Sequence, residues 1–342
     1  ACRKRSFGAD GALKHTSVAL FVPHKGCPHQ CSFCNQKSIS GQTKSITADD
    51  VHAACAVAEK DPNLKDAQIA FFGGSFTAIE REYMTELLSA AKEHLDGEKF
   101  TGIRISTRPD AIDDEICRIL KEYGVNAVEL GAQSMDDKVL LLNKRGHTAE
   151  DVRKATALLK QYGFETGLQM MTGLYGSDKN ESIYTAKEII KLRPDTVRIY
   201  PTIVMDDTPL AELYRSGEYI PQTLDEATDI CAELILMFYK ENINVIRVGL
   251  HSGGGVEGGM LAGAFHPAFK ELCQNKIYYS LMFSELSGLP KNKSYNIFVP
   301  AGALSQAMGQ KKANLLKMRE NGYECIIKEC ESLNKYQIFV KE

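Results

Sequence analysis

The sequence lacks the features that would place it across a membrane. No apolar run approaches the roughly 20 residues that a transmembrane helix needs, and no signal peptide opens the chain. We therefore predict a cytoplasmic location. The first residue is Ala1 and not Met, which we attribute to processing or to a trimmed start. The net charge of −3 over 342 residues argues against a protein that coats nucleic acid along its whole surface.

A disulfide framework is also missing. The chain has ten cysteines, but seven of them are scattered without the spacing of a disulfide-rich domain. Most of the seven lie in apolar or helical contexts, where a free thiol is simply a small core residue. We therefore expect a reducing compartment. The scattered residues are Cys2, Cys55, Cys117, Cys231, Cys273, Cys325 and Cys330.

The remaining three cysteines, Cys27, Cys31 and Cys34, lie within eight residues on a turn bent by Gly26 and Pro28. Thiolates bind iron, and so short a loop can direct three of them at three corners of a cubane iron–sulfur cluster. No fourth cysteine lies close by. The fourth iron therefore has either a remote ligand or an open position for a small molecule, and we favour the open position.

A structural zinc site is the alternative for this loop. Zinc is also held by three cysteines and one histidine, and His24 or His29 could complete such a set. Zinc ligands usually come as two separated pairs, however, and no second pair follows here. The spacing therefore favours iron.

This loop resembles the signature of radical S-adenosylmethionine (SAM) enzymes, in which an aromatic residue, here Phe33, precedes the last cysteine. The resemblance implies one 4Fe–4S cluster on the three thiols, SAM on its unique iron, and reductive cleavage of SAM to a 5′-deoxyadenosyl radical. It extends over about residues 15–250. It is closest to the radical SAM part of the elongator-complex catalytic subunit and next closest to the oxygen-independent coproporphyrinogen oxidases, whose cysteine spacing this loop shares.

Apolar strand candidates alternate with helical stretches along the first 250 residues. Four helix starts carry a capping-box pattern, at Thr47, Thr77, Thr148 and Thr223. Alternating β and α units imply a parallel sheet, and about six units are too few to close an eight-fold barrel. We predict an α/β fold, a partial (β/α)6 radical SAM barrel, with a doubly wound sheet as the alternative. The predicted strands are residues 17–22, 68–72, 102–106, 127–130, 167–171, 196–200 and 244–248.

Polar and glycine residues follow the carboxyl ends of these strands. The glycine pair after the second strand lets the backbone approach a ligand closely, and a helix starting near Thr77 would offer free amides to a carboxylate. A guanidinium such as that of Arg145 matches a carboxylate in a bidentate way. We interpret His147 as a turn residue before a helix cap. The resemblance implies a SAM-binding set of Phe21, Gly73, Gly74, Ser75, Ser106, Gln133, Arg145, Gln169 and Tyr200.

The chain is predicted to divide into four parts. A basic lead-in covers residues 1–14, the partial barrel 15–250, a Gly-rich loop with a connecting helix 251–290, and a small α+β subdomain, here called the tail, 291–342. Within the third part, residues 252–263 are rich in glycine, so we expect either a mobile lid or a plain linker there. The tail has nine Lys and Arg against five Asp and Glu, a net charge of +4.

The tail resembles a minimal KH module, in which a GXXG turn between two helices grips the nucleic-acid backbone. Here Lys312 takes the place of the second glycine of that turn. The alternative is a structural cap over the open end of the barrel. The nucleic-acid contacts that the resemblance implies are Gly309, Lys311, Lys312, Lys317 and Arg319.

The sequence as a whole predicts a radical SAM enzyme that modifies tRNA, with an electron donor such as flavodoxin or ferredoxin. A small acidic substrate such as a porphyrinogen, handled by an enzyme or a trafficking protein, is one alternative. A non-catalytic iron–sulfur protein that binds RNA is another. We expect no acetyltransferase domain like that of the elongator subunit, because the sequence offers no room for one after the tail.

Overall fold

The computed structural model describes residues 17–22, 27, 31–35, 44–250 and 256–342. Its main element is a seven-stranded sheet in which every neighbouring pair is parallel. The strands lie side by side in chain order, so no strand crosses over another. They are β1 (Ser17–Val22), β2 (Ala67–Gly73), β3 (Phe100–Thr107), β4 (Val125–Gln133), β5 (Glu165–Thr172), β6 (Thr196–Pro201) and, after the short strand β7 (Ile203–Met205), β8 (Asn244–Val248).

Helices connect these strands. A sheet whose strands run in strict order has no reversal point, which rules out the doubly wound alternative. The first and last strands do not pair, so the sheet is an open, curled half-barrel and the predicted fold class is confirmed. The helices are α1 (Ala48–Ala58), α2 (Arg81–Lys92), α3 (Asp114–Glu122), α4 (Asp137–Leu142), α5 (Ala149–Gln161), α6 (Lys179–Leu192), α7 (Pro209–Ser216) and α8 (Leu224–Lys240).

The two faces of the sheet differ in polarity. Side chains alternate between the faces along a strand, and one set, which includes Ile103, Ile105, Val197 and Ile199, is buried against the helices. The other set is polar and lines the concave side. The hydrophobic core therefore lies between the sheet and its helices, and the inside of the half-barrel is left for polar chemistry.

Three of the four predicted capping boxes are confirmed, at Thr47, Thr148 and Thr223, where each threonine accepts from the N3 amide and the N3 carboxylate accepts from the threonine amide. The prediction at Thr77 is wrong. This residue lies inside a single 3-10 turn, Phe76–Ala78, and α2 begins only at Arg81 without a side-chain cap.

The prediction of a loop over residues 252–263 is wrong for its second half. A short helix, α9 (Val256–Gly259), leads into strand β9 (Met260–Gly263), which pairs antiparallel with β7. Residues 252–255 lie outside the described residues, as do the basic lead-in, His24, His29, Gly26 and Pro28. Residues 260–263 form a strand because the backbone of β7 offers them hydrogen-bond partners. The glycine content of the segment does not reveal such a distant partner.

The tail folds into the elements that the sequence predicts. The connecting helix α10 (Phe269–Leu286) leads to β10 (Lys293–Pro300), α11 (Leu304–Met308), a 3-10 turn (Gln310–Lys312), α12 (Ala313–Glu320), β11 (Tyr323–Cys330) and β12 (Phe339–Lys341). Its sheet has the order β11-β10-β12. Buried tail residues such as Tyr295 and Met318 belong to the same core cluster as the barrel, so α10 joins the two sheets through continuous packing. None of the described helices is long and apolar enough to cross a membrane.

Candidate active site at the carboxyl edge of the half-barrel

The predicted SAM-binding residues gather at one edge of the sheet. Because the seven strands are parallel and in chain order, their carboxyl ends lie next to one another. Phe21 of β1 is in register with Phe72 of β2, and Ser106 of β3 with Glu129 of β4. Tyr200 follows at the end of β6. The half-barrel thus presents residues from six successive strand ends to one opening.

The cysteine loop lies at this edge, and hydrogen bonds to its middle hold it there. The amide of Ser32 donates to the carbonyl of Asn143 (3.1 Å), and the Ser32 hydroxyl donates to the Asn143 side chain (2.8 Å). On the other side, the amide of Leu210 donates to the Ser32 carbonyl (2.8 Å). Cys31 and Ser32 are buried. The loop is therefore fixed between the end of α4 and the start of α7, far from both in sequence.

Two arginines lie against the thiols. Arg145 donates from Nη1 to the Sγ of Cys31 (3.2 Å) and from Nη2 to the carbonyl of Gly131 (2.7 Å). Arg108 donates from Nη2 to the carbonyl of Arg145 (2.9 Å) and pairs with Asp110. Among the described residues, the buried atoms Arg145 Nε and Arg108 Nη1 have no hydrogen-bond partner. Buried cationic donors without acceptors fit an anionic group at this position, as a thiolate-bound cluster with a carboxylate ligand would be.

The charge on Cys27 responds to the same arginines. Burial raises the pKa of the Cys27 thiol, and so does neighbouring Cys31, whereas Arg108, Arg145 and a hydrogen bond from the Ser75 amide lower it. Iron binds the thiolate and displaces its proton. No three His, Cys, Asp or Glu side chains in the described part of the chain converge as ligands for a single metal ion.

The glycine tract after β2 makes a close backbone approach to β1. Gly73 has φ +115°, and a Cβ there would lie 2.6 Å from the Val22 carbonyl oxygen, so only glycine fits. The Ser75 hydroxyl is occupied, because it bonds the Thr107 hydroxyl (2.9 Å) and accepts from the Arg108 amide (3.1 Å). Only its backbone, which donates to Cys27, faces the thiol loop.

Gln133 and Gln169 are brought together across β4 and β5. The Gln169 amide nitrogen donates to Gln133 Oε1 (3.1 Å). Gln133 is buried and adopts a left-handed backbone, with φ +65°. A non-glycine residue in this conformation is uncommon and occurs preferentially at functional sites. The pair offers further donors and acceptors to a ligand at the strand edge.

Comparison with known proteins connects this geometry to a family. The Radical SAM superfamily profile matches residues 21–189, and that of the Radical SAM C-terminal domain matches residues 194–279. The first match contains the thiol loop and the ends of β1 to β5, and the second contains β6 and β8.

The chain belongs to the radical SAM superfamily. Members of this superfamily bind a 4Fe–4S cluster and SAM, and the chain is assigned as a radical SAM enzyme with these two cofactors.

Two relatives from the archaeon Methanocaldococcus jannaschii show how far the similarity extends. The tRNA uridine(34) acetyltransferase is 32% identical over 183 residues, which is 48% of this chain and 34% of that protein. An uncharacterized protein is also 32% identical, over 218 residues, with 62% and 63% covered. The chain thus spans about a third of the acetyltransferase and less than two thirds of the second relative.

A solved structure shares the fold. Elp3 from Methanocaldococcus infernus, with an N-terminal deletion, superimposes with a TM-score of 0.61 at 23% sequence identity. The match covers 78% of this chain and 63% of that one. The similarity supports the half-barrel architecture.

The concave side of this radical SAM half-barrel contains an ionic network that the sequence prediction missed. Buried Glu129 accepts from Arg104 Nη1 (3.1 Å) and from Arg198 Nη2 (2.7 Å). Arg104 also donates to Gln68 and Glu165 (both 2.8 Å). The network links strands β2 to β6 beneath the predicted SAM site. Polar residues two apart, such as Arg104 and Ser106 or Arg198 and Tyr200, were the signal that could have revealed a polar strand face.

His147 is buried, although the sequence suggested a plain turn residue. One ring nitrogen contacts the Ala132 carbonyl (3.2 Å), and Nδ1 has no hydrogen-bond partner among the described residues. Burial, and then the charge of Arg145, lower the pKa of His147 from 6.5 to about 4. The ring is therefore neutral at pH 7 and packs beside the arginine that contacts the thiol loop.

The predicted nucleic-acid contacts in the tail differ from one another in their surroundings. Lys311 and Lys312 are exposed and both have left-handed backbones, with φ 52° and 60°. Arg319 is paired with Glu324 through two hydrogen bonds of 2.7 and 3.0 Å, which balances its charge. Lys317 lies 5.5 Å from the centre of the Tyr279 ring. Lys311, Lys312 and Lys317 are thus exposed without a salt bridge among the described residues, and Lys317 differs from the two turn lysines in its ring contact.

Proposed function

We propose that this radical SAM enzyme cleaves SAM reductively at a 4Fe–4S cluster held by Cys27, Cys31 and Cys34. A cluster on these thiols would supply the one electron for reductive cleavage of SAM to methionine and a 5′-deoxyadenosyl radical. The observation that carries this proposal is the Arg145 guanidinium, which contacts the Cys31 thiol and retains an unsatisfied Nε. It lies at the carboxyl edge of a parallel half-barrel, where α/β folds place their ligands.

The other strand-end residues have distinct roles in this proposal. Gly73 and Gly74 admit the SAM amino group next to the backbone, while the Ser75 hydroxyl stays in its contact with Thr107. The amides of Gln133 and Gln169 hold the ribose or the carboxylate as a pair.

Arg145 Nε donates to the SAM carboxylate, while the two Nη atoms keep the guanidinium oriented. At the mouth, Phe21, Ser106 and Tyr200 complete the adenosine contacts. Phe21, Ser106 and Tyr200 lie towards the ends of strands, so the sheet fixes their relative positions, whereas Arg145 comes from the segment between α4 and α5.

We further propose that the substrate is tRNA. A named relative is a tRNA uridine(34) acetyltransferase, with which this chain shares 183 aligned residues. Lys311 and Lys312 place two charges on an exposed turn in a strained left-handed backbone. Such strain costs about 1–3 kcal/mol per residue and is typical of sites that hold a ligand. Cytoplasmic location and a flavodoxin- or ferredoxin-type electron donor complete the proposal, because cluster reduction needs a low-potential donor.

Binding of purified tRNA across a salt series tests the substrate. We expect affinity to fall steeply with ionic strength, since each phosphate contact releases counterions. The double variant Lys311→Glu/Lys312→Glu reverses two charges on the turn and should weaken binding at least tenfold and flatten the slope. Arg319→Gln is the matched control, because Glu324 already balances that cation, and it should change binding little.

A small acidic substrate is the competing possibility, because its carboxylates could use the same cations. It predicts a shallow salt dependence and no effect of the turn variant on catalysis. Salt-insensitive or absent tRNA binding would therefore contradict the tRNA proposal without affecting SAM cleavage. Strong tRNA binding without any SAM cleavage would instead support a non-catalytic RNA-binding protein.

A further inference from the structure

A small pocket opens beside the carboxyl end of β8, next to the start of α10. Its volume is about 200 Å³. One wall comes from the end of the barrel and the other from the first turn of the helix that leads to the tail. The residues that line it and matter here are Arg247, Val248, Leu250, Ala268, Lys270 and Glu271.

Three cations meet around this pocket. Arg247 and Lys270 line it, and Lys335 of the tail is close enough to act electrostatically on Lys270. Within the described ranges no salt bridge joins Arg247, Lys270 or Lys335 to a carboxylate, and Glu271, the carboxylate in the lining, is in no salt bridge with a cation. The Arg247 Nε donates to the Gly249 carbonyl (3.3 Å), which leaves its two Nη groups for another partner.

Neighbouring positive charges lower the pKa values of both Lys270 and Arg247. Lys270 is exposed, but partial desolvation lowers its pKa, and Lys335 and Arg247 lower it further. Burial also lowers the pKa of Arg247, as Arg198 does, while Tyr200 raises it. The lining has one carboxylate, Glu271, against Arg247 and Lys270, and Lys335 adds a third positive charge, so bringing these cations together has an electrostatic cost. An anion in the pocket would offset that cost.

We propose that this pocket binds a phosphate group. A guanidinium fork and a lysine ammonium form the usual pair for phosphate. The 18-residue α10 also begins at this place, after Ala268, although the amides of Ala268 and Phe269 already donate to His266. A cavity of about 200 Å³ accepts a phosphate with part of its sugar but is below the size of typical small-molecule sites. The ligand is therefore one phosphate of a larger molecule or a small phosphate ester.

The position of the pocket favours a nucleic-acid phosphate. Arg247 of β8 is in register with Arg198 of β6, and Tyr200, two residues on, lies in the predicted SAM site. A phosphate held here would lie at the mouth of the half-barrel, on the side of the tail. This source of the phosphate rests on the proposed function: the RNA would be fixed next to the nucleotide that reacts, with the turn lysines as a second contact.

Thermal unfolding with inorganic phosphate, at constant ionic strength against chloride, tests the pocket itself. A ligand that binds only the folded state raises the Tm in a saturable way. We expect such a rise in the intact chain and at least a tenfold loss of phosphate affinity in Arg247→Gln/Lys270→Gln. Lys270→Gln alone keeps the test valid if the double variant does not fold, since Lys270 lies at the surface. Lys276→Gln, on the same helix but paired with Asp225 and Asp229, is the control and should bind phosphate like the parent.

Binding of tRNA then separates the two sources. If the phosphate belongs to RNA, Arg247→Gln/Lys270→Gln should also lower the slope of log affinity against log salt by about 1 per lost contact. If the variant no longer binds inorganic phosphate but binds tRNA with the affinity of the parent, the ligand is a small phosphate ester. A Tm that does not change with phosphate concentration would overturn the proposal. So would a phosphate-dependent rise in Tm that persists in the double variant. SAM cleavage without RNA, measured on the same variants, reports separately on the radical chemistry.

Discussion

Arg145 touches both the thiol loop and the strand edge. Its Nη1 contacts Cys31, its Nη2 contacts Gly131, and its Nε has no partner among the described residues. Lysine cannot reproduce this geometry, because it has one ammonium in place of a planar fork. The residue thus couples the position of the cluster loop to the position of the proposed SAM carboxylate.

Replacing Arg145 tests that coupling. Arg145→Lys should weaken SAM binding about 10- to 100-fold, the effect of losing a hydrogen bond to a charged group, about 1.5–3 kcal/mol. Iron content per chain should stay that of the parent. Equilibrium SAM binding and iron analysis on the reconstituted protein measure the two quantities. Arg153→Lys, whose partner is Glu188 on the outer surface, is the control. Unchanged SAM affinity in Arg145→Lys would remove Arg145 from the site.

His147 gives the site a pH dependence with a defined sign. Its folded-state pKa is lowered from 6.5 to about 4, so below pH 6.5 the unfolded chain takes up a proton that the folded chain does not. The stability is therefore complete above pH 6.5 and is lost as the pH falls towards 4, by about 3 kcal/mol from this residue. Denaturant titrations of the parent and His147→Gln between pH 7 and 4 should differ by this amount. Parallel pH profiles would show that His147 is not buried as described.

At this scale the sequence predicted the residues whose chemistry is local. The spacing of Cys27, Cys31 and Cys34 is visible in eight residues. In contrast, Asn143 anchors Ser32 across 111 positions, and Arg108 reaches Arg145 across 37. Such contacts depend on which strand ends become neighbours, and no local pattern encodes that. Arg108 and Asn143 were therefore missed as parts of the site.

Among the described strands, β4 contributes a buried carboxylate that two arginines share. Its Glu129 is the shared acceptor for Arg104 on β3 and Arg198 on β6, all on the concave side. Arg198 also lies over the Phe72 ring of β2, 5.2 Å from its centre. The Glu129 carboxylate thus links β4 to β3 on one side and to β6 on the other. It does so directly beneath the strand ends that bind SAM in our proposal.

Removing the Glu129 carboxylate should destabilise the fold. Glu129→Gln leaves two buried guanidinium groups without their common counter-charge and should lower the free energy of unfolding by about 3 kcal/mol. Glu165→Gln is the matched control, because Glu165 also pairs with Arg104 but is partly exposed, and it should cost less than about 1 kcal/mol. Chemical denaturation of the two variants gives both values. Equal effects would mean that the network contributes little beyond a surface ion pair.

Helix starts were predictable from sequence where the cap is local, as at Thr47, Thr148 and Thr223. Thr77 fails because its hydroxyl has tertiary partners: it bonds the Thr107 hydroxyl and the Ala111 carbonyl, both at 2.6 Å. The same kind of competition makes residues 260–263 a strand, since β7 offers them a paired backbone. Local propensity is overridden wherever a distant partner satisfies the same group.

For the molecule as a whole, the alternation of strands and helices was enough to predict a parallel half-barrel. Seven strands in about six β/α units were predicted, and the sheet has seven parallel strands. The tail elements were also predicted, but their packing was not: α10 places buried Tyr278 and Met282 in the core cluster that contains the tail residues Tyr295 and Met318. That join positions Lys335 at the pocket beside β8. The proposed phosphate site depends on contacts of this kind between distant parts of the chain. The periodicity of a sequence does not encode such contacts.

The measurement that tests the central claim most directly is SAM cleavage by the anaerobically reconstituted, reduced chain. We expect about four iron atoms per chain, an electron paramagnetic resonance signal that changes when SAM is added, and 5′-deoxyadenosine as a product, with and without tRNA. Cys27→Ala, Cys31→Ala and Cys34→Ala should each lose the product, whereas Cys330→Ala in the tail should retain it. A chain that binds zinc and no iron, or a loaded and reduced cluster that forms no 5′-deoxyadenosine under any of these conditions, would contradict the account.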